Sequence, residues 1–158
     1  MHFLSDFTQK AVAEVFSTMM SLKVEAVSTD ESISPSRSGI TGVVSNVGFA
    51  GKMSGGLYMN YNDKLACDVV ERLLGARPAN ADEGDVADVL GEITNMVTGT
   101  MKKHASAVGY SGWLSTPLIM RGEQITLEPK DATIHSFNLF RIPDLGEELG
   151  VWVFAKLG

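Results

Sequence analysis

A single cysteine, Cys67, among 158 residues excludes an internal disulfide and leaves no thiol set for a metal. A reducing cytoplasm fits that scarcity. No uninterrupted apolar stretch of about 18 residues occurs, so no membrane-spanning helix is expected. The opening Met1-His2-Phe3-Leu4-Ser5-Asp6 has no basic segment followed by an apolar one, and export is not expected either. Lys and Arg number 13 against 19 Asp and Glu, for a formal net charge of −6. With no Lys/Arg cluster, a nucleic-acid backbone is a poor partner, although one local site for an acidic ligand stays open. His2, His104 and His135 lie far apart, without HxH or HExxH spacing, and no metal site is expected. The GxSxG elbow of a serine nucleophile and the glycine-rich loops that cradle nucleotide phosphates are missing as well.

What remains is an ordinary globular composition, 44% hydrophobic and 20% charged, with a mean hydropathy of +0.08. Residues 1–158 fit one domain, large enough to bury a core without staples. Leu4, Phe7, Ala11, Val15, Met19 and Leu22 recur every three or four residues, which predicts a first helix from an N-cap at Ser5 to Leu22. Ser28 to Ser38 is polar and reads as loop. Ile40 to Val47 and Lys52 to Tyr61 read as a strand pair around Gly48-Phe-Ala-Gly51. Asn62 or Asp63 caps a second helix carrying Leu65, Val69, Val70, Leu73 and Leu74, which Gly75 and Pro78 stop. After Gly109, strand-like texture covers Leu114 to Met120, Gln124 to Leu127, Ala132 to Ile142 and Gly150 to Leu157. This order is not a βαβ alternation. It predicts an α+β two-layer sandwich, with long helices on a largely antiparallel or mixed sheet.

The most informative segment is a third helix from about Gly84 to Ala107, entered through acidic Asp82, Glu83 and Asp85 and left through Lys102-Lys103 as a helix dipole favours. On its wheel, Val86, Leu90, Ile93, Val97 and Met101 form one stripe that must face the core, and His104 continues it as a semi-buried histidine. Asp88, Glu92, Asn95 and Gly99 share the opposite arc, facing solvent or a partner. Gly91 and Gly99 each cost about 1 kcal/mol against Ala inside a helix. Bare backbone there would let another molecule approach closely. A carboxylate and a carboxamide flanked by glycines form a docking surface; the same residues also suit an ordinary solvated face. The eight methionines, Met19, Met20, Met96 and Met101 among them, mostly fit core gap-filling rather than a Met-rich binding surface, and Trp113 and Trp152 fit the core or rim of the sheet. Glu14-Val-Phe-Ser17 faintly repeats Glu92-Ile-Thr-Asn95, with coincidence and internal duplication equally open.

Asp88-x3-Glu92-x2-Asn95, with Pro117 after 21 intervening residues, resembles the signature of the CheC/CheX/FliY family of chemotaxis response-regulator phosphatases. The family pattern sets its proline one residue further on. Gly91-Glu-Ile-Thr-Asn-Met-Val-Thr-Gly99, Glu14-Val-Phe-Ser-Thr-Met and Ser115-Thr-Pro117 are similar to the CheX branch in particular. The resemblance implies a CheC-like fold and, as substrate, a phosphorylated CheY-like response regulator whose receiver domain carries an aspartyl phosphate and Mg²⁺. Carried onto this sequence, Asn95 would orient the attacking water and Glu92 would pair with a receiver lysine. Asp88 and Pro117 match motif positions of structural or peripheral role and, with Gly91 and Gly99, would line the partner-binding surface. No cofactor of the chain's own is implied, while a homodimer is, for which apolar Val151 to Leu157 would offer an edge strand. The rival reading is a non-catalytic adaptor that binds a receiver or another partner through the same helix face.

Overall fold

The computed structural model describes residues 3–32 and 37–157. Among these residues three helices, α1 (Phe3–Met20), α2 (Asp63–Leu74) and α3 (Gly84–Ala107), accompany seven strands: β1 (Glu25–Asp30), β2 (Arg37–Gly51), β3 (Met53–Tyr61), β4 (Gly112–Leu114), β5 (Leu118–Leu127), β6 (Ile134–Ile142) and β7 (Glu147–Leu157). They form a single sheet in the order β1-β6-β7-β3-β2, with both β4 and β5 paired to β2. Every pairing is antiparallel. The expected α+β two-layer sandwich is what forms.

Period-two alternation sorts the strands onto two faces. Val43, Leu57, Met59, Val151 and Val153 point into the main core with the helices, whereas Val44, Trp152 and Phe154 belong to a smaller apolar cluster with Ile40 and Leu127. Arg37 closes over that second cluster, its guanidinium 4.5 Å from the Phe137 ring centroid. The start of β2 and the end of β5 therefore help cover the face that the helices leave open.

Residues 149–155 of β7 are all buried. A run apolar on both faces belongs in the middle of a sheet, and β7 lies between β6 and β3. It is not the edge strand expected of Val151 to Leu157 and offers no free backbone to a second copy. Strand β1 takes one edge instead, and its last residues, Ser28 to Asp30, together with Arg37 and Ser38 of β2, lie in the polar segment expected as loop. Its side chains are exposed or half-buried, so backbone pairing with β6 holds it rather than apolar burial. Residues 33–36 of that segment lie outside the described residues.

Ser5 is not a cap. Helix α1 already runs through it, and its buried hydroxyl donates to Glu31 Oε2 (2.6 Å) and meets Ser136 Oγ (2.8 Å). The helix ends at Met20 rather than Leu22, with Ser21 at φ 53° turning the chain. Helix α2 follows expectation: Asn62 Oδ1 accepts from the Leu65 N–H (2.7 Å), and Gly75 ends it at φ 79°. The segment expected as one strand from Leu114 to Met120 breaks at Ser115 to Pro117. Beyond the break β5 runs unbroken to Leu127, tolerating Gln124 at φ 60°.

Asp68 ties α2 down, accepting from Lys64 Nζ (2.8 Å) and Arg77 Nη1 (2.6 Å). Burial alone would raise its pKa, but the bonds from Lys64 and Arg77 outweigh that and hold the carboxyl below its ordinary value. A depressed folded-state pKa stabilises at pH values above the unfolded one, about 3.9, and that contribution is lost as pH falls through the folded value. Asp68→Asn should lower the urea midpoint at neutral pH while losing less further stability than the wild type below about pH 4. Urea titrations at both pH values check it.

Candidate functional site

Helix α3 forms over the predicted span, Gly84–Ala107. Val86, Leu90, Ile93, Val97 and Met101 are at most 1% exposed, which fixes the rotation of the rod about its axis. Each such side chain contributes about 1.5–3 kcal/mol of burial, enough to make that rotation costly to change. On the other arc Asp88 and Glu92 are exposed and Asn95 is half-buried. Among the described residues none of the three makes a side-chain hydrogen bond or ion pair. Glu92 and Asn95, three residues apart, present a carboxylate and a carboxamide about 5–6 Å from one another at Cβ. His104, half-buried near the end of the helix, stacks on Phe7 with ring centroids 5.6 Å apart.

The two glycines of the helix differ in what surrounds them. Gly91 is buried, and a methyl placed there would lie 3.3 Å from Pro117 Cβ and 3.9 Å from Ile119 Cδ1. Gly99 would place one 3.8 Å from Leu114 Cδ1. The missing side chain at Gly91 lets the β4–β5 connection lie against α3, so Gly91 is not bare backbone awaiting a visitor, whereas a methyl at Gly99 would make only an ordinary contact. Pro117 touches α3 on one side and is exposed on the other, flanking the Asn95 arc. Ser115 holds the connection in place. Its N–H donates to the Gly48 carbonyl (2.9 Å), and its hydroxyl oxygen accepts from the Gly48 N–H (2.9 Å).

Behind the arc runs a buried line of hydroxyls. Thr94 Oγ1 donates to the Leu90 carbonyl (2.8 Å) and is hydrogen-bonded to Ser45 Oγ on β2. Burial pushes the neighbouring Tyr61 phenol far above its ordinary pKa, its interaction with the Thr94 hydroxyl opposing only in part, so it stays neutral. At the head of α3, Arg121 of β5 donates to the Ala81 carbonyl (3.1 Å) and lies 3.8 Å from Asp82. The rod is thus fixed at its start, along its back and on one flank, while its outer arc is left clear.

Among the described residues no group of three His, Cys, Asp or Glu side chains is placed to hold a metal, and no helix is long and apolar enough to cross a membrane. The arc itself offers a neutral amide, which can orient a small polar molecule, beside a carboxylate, which can meet a cation.

Residues 43–139 match the family model of the chemotaxis phosphatase CheX. The chain belongs to the CheX family. No curated protein matches it at a significant level. Among solved structures, a CheC-like superfamily protein from Shewanella sp. PV-4 is 23% identical, with 99% of each chain covered and a TM-score of 0.84. Chemotaxis protein CheX from Vibrio vulnificus is 23% identical over 97% of this chain and 99% of its own, also at 0.84. The CheX of a CheX–CheY–BeF₃–Mg²⁺ complex from Borrelia burgdorferi is 22% identical over 96% of each chain, at 0.79. At these identities the likeness establishes the fold, and the chain has the CheC-like fold expected of it.

In this CheX-family chain the motif residues divide by position. Asp88, Glu92 and Asn95 stand together on the outer arc, whereas Gly91 and Pro117 are joined through contact with each other. Ser45, Thr94, Ser115 and Arg121 are supports that the motif does not name. Thr94 and Thr98 were findable as polar residues beside the apolar stripe of the helical wheel, where a hydroxyl needs a partner. Nothing local marks Ser45. Trp152 is core as expected, and Trp113 lies at the rim, 69% exposed.

Proposed function

We propose that this CheX-family protein hydrolyses the aspartyl phosphate of a CheY-like receiver domain, Asn95 orienting the attacking water and Glu92 docking on a receiver lysine. The observation that carries the reading is the Glu92/Asn95 pair itself, one turn apart, outward and without partners inside the described chain. The family supports it, and so does the Borrelia complex, in which a CheX of the same fold is bound to CheY with BeF₃ and Mg²⁺.

The chemistry asks little of the helper. Water oxygen bonds to phosphorus as the acyl P–O bond breaks; the aspartate leaves as a carboxylate and the water's protons remain with inorganic phosphate. Through a loose transition state, placement of water and electrostatic stabilisation supply most of the acceleration. The Asn95 side-chain oxygen can accept one water hydrogen and leave a lone pair aimed at phosphorus. Being neutral, the amide performs this without a shifted pKa. Mg²⁺ arrives with the receiver as part of the substrate, where it neutralises charge on the phosphoryl oxygens.

Phosphate release from a phosphorylated receiver, measured with wild type and Asn95→Ala, tests the proposal. Binding with no acceleration would favour an adaptor. Glu92→Lys sets like charge against the receiver lysine and should raise KM by about 10²-fold, corresponding to the 2–5 kcal/mol typical of disrupted charge pairs at interfaces. A kcat/KM that falls with added salt in wild type, and falls less or rises in Glu92→Lys, would mark the effect as electrostatic.

A further inference from the structure

Beside the outer arc of α3, on the flank away from Pro117, a groove of about 340 Å³ opens between α1 and α3. Met19, Met96 and Gly99 are among its apolar lining and Glu14, Thr18 and Lys103 among its polar lining. Met19 is 41% exposed, unlike the other methionine at that helix end, Met20, which is 3% exposed. Glu14 and Lys103 are exposed and make no ion pair with each other or with any other described residue. Met96 packs in part against the core, but core packing does not account for the exposure of Met19 beside Val15, which is itself only 4% exposed.

Resting on the reading of Asn95 above, we infer that this groove is the receiver's second contact, taking an apolar receiver side chain between Met19 and Met96 and setting which receiver is accepted. The argument is one of reach. An asparagine side chain is short, so a receiver that admits Asn95 must come down onto the α3 backbone itself. A standard interface buries about 800 Å² per partner, a disc of about 16 Å radius. Packed helices lie about 8–10 Å apart, so a disc centred on Asn95 extends across α3 and over α1. Met96 adjoins Asn95 in the chain, and Gly99 belongs to the motif arc and the groove alike, leaving no ridge between the two. Methionines are flexible and polarisable, suited to a seat that must fit a partner's contour. Glu14 and Lys103, unpaired and of opposite sign, add a polarity that the accepted receiver must complement and another would violate.

The test measures both the affinity for a CheY-like receiver domain of the same organism, loaded with beryllofluoride and Mg²⁺, and phosphate release from its phosphorylated form. Met19→Asp and Thr18→Arg, both on the exposed side of α1, should each raise Kd and KM by about tenfold or more with kcat unchanged, as loss of an interface anchor does. Val27→Asp, at an exposed apolar site on β1 outside the groove, should change neither. If wild type accelerates phosphate loss and Asn95→Ala does not, yet both groove variants bind normally, the groove inference is overturned and the catalytic reading stands. If the groove variants bind weakly while no acceleration occurs, the groove stands and catalysis falls. A loaded receiver that wild type does not bind at all overturns both.

Discussion

Asn95→Ala should lower kcat for phosphate loss by about 10²–10³-fold, comparable to the removal of one preorganised side-chain hydrogen bond from an enzyme's transition state. Stability should hardly move. Asn95 is half-buried and has no side-chain partner among the described residues, so truncation strands no polar group and opens no core cavity. Changes at such positions stay within about ±0.5 kcal/mol. Loss of rate with an unchanged thermal midpoint and unchanged receiver affinity is therefore the signature. Asn95→Asp separates orientation from charge: it keeps the shape of the amide but brings a negative group toward a phosphoryl dianion, and should be no better than Ala. An Asn95→Ala variant that still accelerates phosphate release would remove the amide from the mechanism.

The outer arc was legible because α3 obeys one rule along its whole length. Five apolar residues at helical spacing fixed which side is buried, and the exposure of Asp88 and Glu92 followed. Asn62 and Gly75 delimited α2 through local backbone chemistry, which needs no knowledge of the rest of the fold. Where tertiary pairing does the holding, local pattern fails. Glu25 to Asp30 has no apolar face, and only its pairing with Phe137 to Arg141 makes it a strand. The reverse error concerns β7: its apolar run signals burial on both faces, hence a central strand, and reading it as an edge neglects that signal. Gly91 shows a subtler limit. A glycine inside a helix announces that something comes close, but the wheel does not say whether that is a partner or the chain's own proline 26 positions on.

That contact supports the second large effect. Gly91→Leu should overfill the site, where Pro117 Cβ stands only 3.3 Å from the place a first side-chain carbon would take, and force the β4–β5 connection off the helix. Overpacking of this kind costs about 1–3 kcal/mol, against which the better helix propensity of Leu returns under about 1 kcal/mol. Activity should suffer more than stability. Pro117 flanks the arc on the Asn95 side, and a misplacement of about 1 Å near reacting groups costs on the order of 10²-fold in rate. Pro117→Gly empties the same contact from the other side and should loosen the connection, with a smaller loss. Combined, the larger residue meets the space the proline has vacated, and the double variant should be more stable than the sum of the singles by about 0.5–3 kcal/mol. Urea midpoints of the four proteins, with phosphate release measured on each, complete the cycle. Strict additivity would mean that the motif's glycine and proline act separately, and that the proline's place in the motif has a cause other than this contact.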